Sequence, residues 1–559
     1  MEFLQKKLSV DKEPVERLFN FRPLLFSAFF LCLGILFSYL REWKEGSPLL
    51  AALPFGVLLS AFLLKKDKKK ALAAVLALAF AFSIGAISFS LNLSSYRRIE
   101  VVDGYYTVEG RVTEKALGGE RCKVRLDEVT LDGEGVNGGL TLSLPASVAN
   151  SLQLSDRVQF FSRVQVDVGA FDSYGFRGEA IAENIRFKVG EVSEFRVTGH
   201  QKDWLLTVRQ KIGDTVRKGM DEIPAAVTLA ILLGDTSAMD EDLLDNVRKG
   251  GIAHIFAVSG LHIGTLFAVL TALMGKTKLY RFSKFFRWLI VLTVLLFYGG
   301  VCGYSASVVR SIVTCLALYF YRLAGEKSDT LETISFAAVC VLLFQPTQLF
   351  AVGFQLSFAA CYGIAFLARP FADVAHAILE RTEQFILRKV LKIPPTPPVD
   401  MFVSDTPPPS MYTLCKRKAV GFLSVSVAAQ AFTFPILLLS FGYVSNAGLL
   451  LNCVFVPLLS VAFCPLLFFC VTASILAALE KVVLFLPNTV LSALMLVFQT
   501  LDFSKAVTEG LALSVGTVGV YYLWLLCFSD KWNITSRQKR FLIVLCGAAF
   551  AISLAVSNV

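Results

Sequence analysis

The chain has 559 residues, 55% of them hydrophobic and only 18% charged, with 54 Lys and Arg against 44 Asp and Glu for a net charge of +10. Its mean hydropathy is +0.62, and apolar runs of bilayer length recur along most of it, which excludes a wholly soluble enzyme and predicts a multi-span membrane protein. The 12 Cys fall mostly inside apolar runs, where a thiol behaves as a small hydrophobe, so no disulfide framework is expected.

Residues 1–99 carry three apolar runs, at 24–40, 48–64 and 71–93. The first is followed closely by another span and has no small-residue cleavage site, so it reads as an anchor rather than a signal peptide. Lys65, Lys66, Lys68, Lys69 and Lys70 lie between the second and third runs. A short loop this basic stays in the cytoplasm, so the amino terminus is expected inside and the segment after the third helix outside. That segment, 100–196, changes character. Its apolar runs shorten to strand length, alternate with polar residues and are broken by turn signals such as Asp132-Gly133 and Asn137-Gly138-Gly139. The pattern predicts a small extracytoplasmic β domain, an OB-like five-stranded barrel or a sandwich, with strands over 111–113, 122–126 and 157–166.

In 203–250, Trp204, Val208, Ile212 and Val216 recur every four positions and predict an interfacial helix. The apolar stretch at 223–234 is too short to span and reads as re-entrant or buried. A further set of membrane helices is expected over 251–369, with spans at 252–274, 288–304, 306–324, 330–346 and 351–369. A cytoplasmic Pro-rich loop follows at 370–418, with an amphipathic start at Ile378, Phe385, Ile386 and Val390 and a tract from Pro394 to Pro409. Carboxy-terminal helices occupy 419–559, at 419–440, 447–475, 482–499, 511–529 and 540–557. Residues 447–475 contain Pro457 and Pro465 and fit either one long span or two half-helices. The total is about 13 spans, a polytopic α-helical membrane protein with an inserted extracytoplasmic barrel.

Polar groups inside a span are expensive and mark pathways or sites. His254, Ser259 and His262 are expected on one helix, with Gly260 and Gly264 as a small-xxx-small pair admitting a neighbouring backbone. The alternative is plain helix packing, with the imidazoles bonded to carbonyls. Arg310 sits in the next but one span, where a permanent charge needs a partner, a wet cavity or the membrane interface; against a polyanion it is the best phosphate contact. Gln355, Gln430 and Asn452 are intramembrane amides that fit the path or interhelical bonding. In the β domain, Arg121, Lys123 and Arg125 alternate with apolar residues and form a basic strand face. Beside Tyr105, Tyr106, Phe160 and Phe161 it has the make-up of a possible DNA-binding surface. Residues 100–195 hold 10 basic against 16 acidic groups, a balance that favours a solvated face.

Gly275-Lys276-Thr277 lacks the earlier glycine of a P-loop, and the four His form no metal motif, so neither a nucleotide motor nor a metal or other cofactor is expected. Ser259 and His262 also match the residue types of an intramembrane serine hydrolase, without a nearby carboxylate to orient the ring.

Residues 250–264, ending in Ala257-Val258-Ser259-Gly260-Leu261-His262-Ile263-Gly264, resemble the signature of the ComEC family of bacterial competence channels. Leu232-Leu233-Gly234-Asp235, the stretch 305–310, Gly353-Phe354-Gln355-Leu356-Ser357-Phe358, and 424–435 continuing to Gly442, Asn452 and Pro457 look like the family's further landmarks, in order. Phe171-Asp172-Ser173-Tyr174-Gly175-Phe176 resembles part of its OB-like module. The resemblance implies a non-enzymatic channel passing single-stranded transforming DNA across the bacterial inner membrane. Its implied partners are membrane lipid, a surface DNA receptor and a cytoplasmic ATP-driven translocase. It departs from many members in lacking the clustered His and Asp of a carboxy-terminal metallo-β-lactamase-like domain, so a nuclease would come from another protein. It also departs in carrying Ala306 where proline is frequent. A transporter of another polymer or lipid is the remaining alternative.

Overall fold

The computed structural model describes residues 22–44, 68–98, 101–385 and 411–557, with short breaks at 119–120, 168–170, 173–174, 177–180, 182–183, 201–202, 257, 277–282, 325–328, 502, 504–505, 511–512 and 530–535. The expected span at 48–64, Lys65, Lys66 and the tract from Pro394 to Pro409 lie outside the described residues.

Two apolar helices, α1 (Pro23–Lys44) and α2 (Lys68–Arg97), pack along each other. At one crossing a Cβ on Gly34 would fall 2.0 Å from the Phe82 carbonyl oxygen, and one on Gly85 2.2 Å from that of Leu31. The two glycines let the backbones touch. The chain then leaves α2 for strands β1 (Gly104–Gly118), β2 (Arg121–Leu131) and β3 (Gly139–Pro145), a short helix α3 (Ala146–Ser151), and strands β4 (Asp156–Val166), β5 (Ile185–Val189) and β6 (Ser193–His200).

These strands close a barrel in the order β1-β2-β3-β5-β4, with β4 returning to β1, β3 and β5 parallel, and β6 added outside β4. The helix α3, between β3 and β4 in the chain, completes the OB arrangement. The alternation seen in the sequence supplies the interior: Val108, Val112, Cys122, Val124, Leu126, Leu140, Val158, Phe160 and Val164 are all buried. Tyr96 at the end of α2 ties the barrel down, its hydroxyl donating to the carbonyl oxygens of Ile185 at 2.5 Å and Asp167 at 3.2 Å. On the other side Arg111 bridges Glu128 at 2.9 Å and Asp203 at 3.4 Å.

Asp203 caps α4 (Trp204–Gly219), accepting from the amides of Leu205 and Leu206. This amphipathic helix buries Ile212, Gly213, Thr215 and Val216 against the helices that follow, rather than facing only a membrane surface. Helix α5 (Glu222–Leu233) is buried from Pro224 to Leu233. It is followed by α6 (Glu241–Lys249), α7 (Gly260–Lys276), α8 (Lys284–Val301), α9 (Ala306–Ala324), α10 (Thr330–Phe344), α11 (Val352–Phe385) and α12 (Met411–Phe441). A short strand β7 (Tyr443–Ser445) leads into α13 (Gly448–Ile475) and α14 (Glu480–Gln499); β8 (Val507–Glu509) pairs with β7, and α15 (Val515–Cys527) and α16 (Ser536–Ser557) complete the chain.

The described residues are mostly helical, and among them six helices are long and apolar enough to cross a membrane: 23–40, 74–97, 284–301, 352–383, 415–441 and 448–475. Shorter apolar helices run over 222–233, 260–275, 307–321, 330–344 and 516–527. Three boundaries differ from the sequence expectation. Residues 252–274 are not one span, because α7 begins only at Gly260. Helix α11 continues through Pro370 to Phe385, and α12 starts at Met411. They pack along each other, with Lys416 bonded to Glu383 at 2.5 Å, and a packed neighbour keeps a helix going past a proline. Residues 448–475 form one helix with both Pro457 and Pro465 inside, not two halves.

Candidate functional site

The polar residues of 250–264 occupy two kinds of backbone. Gly251 has a φ of +71°, Ala253–Ile255 is a single 3-10 turn, and Ser259 precedes α7. His254, Ser259 and His262 therefore do not share one helix, as the apolar run alone suggested. The left-handed glycine breaks the run where hydropathy does not. His254 lies on the turn with its side chain exposed, while Ile252, Ile255 and Phe256 around it are buried.

His262 is 0% exposed. Its Nδ1 accepts from the Ser259 amide at 3.2 Å, and its ring stacks on Phe463 of α13 at 4.7 Å between centroids. With Nδ1 accepting, the neutral ring carries its proton on Nε2. That Nε2 is buried without a partner, and so is the Ser259 hydroxyl. Hydroxyl and imidazole share no hydrogen bond; the two residues meet through the backbone amide.

Arg310 approaches the same turn from α9 and is 7% exposed. Its Nη1 donates to Cys361 Sγ of α11 at 3.0 Å, Nη2 donates to Ser311 Oγ at 3.3 Å, and the guanidinium lies 5.4 Å from the Phe358 ring centroid. Nε is buried and unpartnered. Among the described residues no carboxylate pairs with it. Gly260 is what admits the guanidinium, since a Cβ there would stand 2.7 Å from both Arg310 Nη2 and Ser311 Oγ. Gly264 behaves differently: nothing lies within 4 Å of a Cβ built on it, so it is not the second half of a close-packing pair.

Around the first turn of α7, Gly260 thus meets Arg310 of α9, itself tied to Cys361 of α11, while His262 holds the Ser259 amide and stacks on Phe463 of α13. Asn452 is on α13 with Oδ1 buried and unpartnered. Gln430 lies beside Gly448, whose Cβ would be 3.0 Å from its Nε2, and Gly448 in turn meets Gly251. Gln355 instead donates to the Leu349 carbonyl at 2.9 Å, a local tie at the start of α11. Sequence reasoning missed Cys361 and Phe463, whose apolar surroundings gave no sign of an Arg or His partner. Phe358 had a signal, as it ends the Gly353-Phe354-Gln355-Leu356-Ser357-Phe358 motif. Among the described residues no three His, Cys, Asp or Glu side chains gather as a metal site would require.

In the barrel, Lys123 is exposed and Arg125 half-buried, with its Nε 3.4 Å from Asp127. Arg121 holds the same face by register, opposite Gly118. Of the four aromatics, Phe160 is in the core and Tyr106 donates to the Val102 carbonyl. Tyr105 and Phe161 are exposed and stacked at 5.8 Å. These two sit at the opposite end of β1 from the basic stripe: Lys123 and Arg125 pair with Ala116 and Glu114. Nine or more positions of strand are about 30 Å, so stripe and aromatics do not form one surface.

Comparison with known proteins places the same helices within a family. Residues 231–533 match the family "Competence protein", a stretch from α5 to just beyond α15 that includes His254, His262, Arg310 and Asn452. The chain is 29% identical over 291 residues to "Competence protein ComA" of Neisseria gonorrhoeae, covering 49% of this chain and 41% of that protein. It is 25% identical over 190 residues to "ComE operon protein 3" of Bacillus subtilis (strain 168), covering 34% and 24%. It is also 23% identical over 145 residues to the uncharacterized YcaI of Escherichia coli (strain K12), covering 25% and 19%. The chain therefore spans less than half the length of these relatives. No solved structure matches it. With the family matched over more than half its length, through the helices that build the polar group, this chain belongs to the competence protein family.

Proposed function

We propose that the chain is a channel for single-stranded DNA in natural transformation, seated as a multi-pass protein in the bacterial cell membrane with its barrel on the outer side. The observation that carries this reading is Arg310, a permanent charge buried among apolar helices without a carboxylate and grouped with unpartnered polar atoms of Ser259 and His262. Such a seam is costly as pure packing. It gains a role when a polyanion or water occupies it, since a guanidinium recognises phosphate and a neutral imidazole N–H donates to it. The family, and relatives whose names refer to competence, support DNA as the cargo. His254, Gln430 and Asn452 extend the path, and Gln355 supports it from the start of α11.

The residues of the path contain no means of supplying energy. A surface DNA receptor and a cytoplasmic ATP-driven translocase are the partners this function requires, together with a nuclease supplied by another protein if one strand is degraded. The basic segment from Lys65 to Lys70 sets the orientation. Lys123 and Arg125, with Arg121 on the same face, are left as a secondary DNA contact outside the membrane.

The test is transformation in a native transformable host, with surface-bound and nuclease-protected labelled DNA counted separately. A deletion restored by wild type but not by Arg310→Ala or His262→Ala, with surface binding kept, supports the reading. Normal protected DNA in both variants at normal protein levels refutes it and moves a transporter of another polymer or lipid to first place.

A further inference from the structure

Two guanidinium groups of the helical part are held in different ways. Arg22, just before α1, is 16% exposed and donates from both Nε and Nη2 to Asp329 Oδ2, at 3.0 and 2.8 Å. A carboxylate so placed neutralises the guanidinium and occupies its fork. Arg310 is buried more deeply, at 7% exposure, yet its hydrogen bonds and its ring contact all go to uncharged groups. Nη1 donates to Cys361 Sγ at 3.0 Å, Nη2 donates to Ser311 Oγ at 3.3 Å, and the Phe358 ring centroid lies 5.4 Å away.

These contacts position the group without cancelling its charge. Ser311 accepts from Arg310 because its own proton goes to the Ser307 carbonyl at 2.7 Å. Phe358 and Cys361 are three residues apart and so share one face of α11. A thiol is a weak acceptor, and an aromatic face attracts a cation through its quadrupole. Neither supplies the full negative charge that Asp329 brings to Arg22. Nε of Arg310 stays buried without a partner, so a donor of the fork is left over.

We propose that Cys361 is a positioning residue of the path and sets its preference for anions. From α11 it orients the Arg310 guanidinium with an acceptor that is not an anion, and the positive charge stays available to a passing phosphodiester. The inference rests on the path reading above. A carboxylate at position 361 competes with that phosphodiester for the same donors, since both are fork partners of a guanidinium. Cys361 is a free, half-buried cysteine, so its sulfur is also a point at which charge can be added beside Arg310.

The experiment compares Cys361→Asp with Cys361→Asn in the native host, reading nuclease-protected DNA at measured protein level. The two side chains match in size and differ in charge. Cys361→Asp lowers protected DNA about tenfold or more, as expected for Arg310→Ala, whereas Cys361→Asn and Cys361→Ser stay within about threefold of wild type. A second readout uses the full wild-type chain in lipid nanodiscs and the binding of a fluorescent oligothymidylate. Sulfonatoethyl methanethiosulfonate turns the thiol into a mixed disulfide carrying a sulfonate and releases methanesulfinate; the methyl reagent forms the same bond with a neutral group. The sulfonate lowers the slope of log affinity against log salt by about 0.7, the equivalent of one phosphate contact on a single strand. The methyl group leaves the slope unchanged, a reducing agent reverses the effect, and Cys361→Ser responds to neither reagent. Equal import by Cys361→Asp and Cys361→Asn overturns the role, because a residue that only packs responds to size and not to charge. If neither variant accumulates, equal effects of the two reagents overturn it, and a sulfur that neither reagent reaches does not face the path and counts against it too. These results leave the path reading standing as long as Arg310→Ala is defective. Normal import by Arg310→Ala is the separate result that removes the path itself.

Discussion

The barrel and the helical group around Arg310 hold their charges differently. The barrel interior is aliphatic and aromatic, and its charges are paired, as Arg111 with Glu128 and Lys188 with Asp167, although Arg111 Nε, Thr113 Oγ1 and Ser155 Oγ are also buried without a hydrogen-bond partner. At the junction of α7, α9, α11 and α13 a guanidinium, an imidazole and a hydroxyl are buried together, each with an atom lacking a partner. A domain built for stability satisfies or expels such groups. A cluster that does neither within a membrane helix bundle is where a function is to be sought. On the function proposed above, the bundle junction is the working part.

Substitutions at five positions sharpen or break that contrast. The largest effect belongs to the barrel core: Leu126→Ala costs about 2–5 kcal/mol of barrel stability, read as a lower denaturation midpoint for proteolysis at barrel sites, with the bundle's protease pattern unchanged. Loss of the whole protein instead would mean that barrel and bundle do not fold separately. Next comes Arg310→Ala, expected to lower protected DNA by about tenfold to a hundredfold, the equivalent of one lost charge-assisted hydrogen bond. Arg310→Lys keeps the charge but not the fork, and falls between the two.

Gly260→Ala drives a methyl to 2.7 Å from the guanidinium and is expected to cost about 1–3 kcal/mol in strain, with uptake falling alongside. Gly264→Ala, with open space around it, leaves both unchanged. Equal effects at the two glycines would remove the close approach of α9 from the account of the site. The smallest effect is at the basic strand face, where Lys123→Ala changes stability by less than about 0.5 kcal/mol. A clear drop in DNA bound to the isolated surface step would instead promote the barrel from scaffold to contact.

The barrel was legible because a strand facing a core repeats every two residues, and Cys122, Val124 and Leu126 between Arg121, Lys123 and Arg125 show that period plainly. Its extra strand and its closure through β4 and β1 were not, since pairing partners leave no local trace. In the membrane part hydropathy located apolar segments but misjudged where helices begin and end. It carried one span straight through Gly251, broke α11 near Pro370, and left α13 open as two halves. A hydropathy window averages over the single residues that decide these boundaries, and packing against a neighbour overrides a proline that would end a lone helix.

The site divides in the same way. His262, Ser259 and Arg310 stood out as candidates in the sequence, because a polar or charged side chain in an apolar run is conspicuous wherever it folds. Sequence by itself also determined that the chain is membrane-like, that a β domain interrupts it, and to which family it belongs, since each is written in composition, period or contiguous motif. Only the tertiary structure decided that Arg310 lies against Gly260, that its partner is Cys361, that His262 stacks on Phe463, and that Asn246 reaches across to Leu501 and Phe503. Those contacts join residues from 50 to more than 250 positions apart, and a distance of that kind is set by how helices pack, which no local pattern encodes.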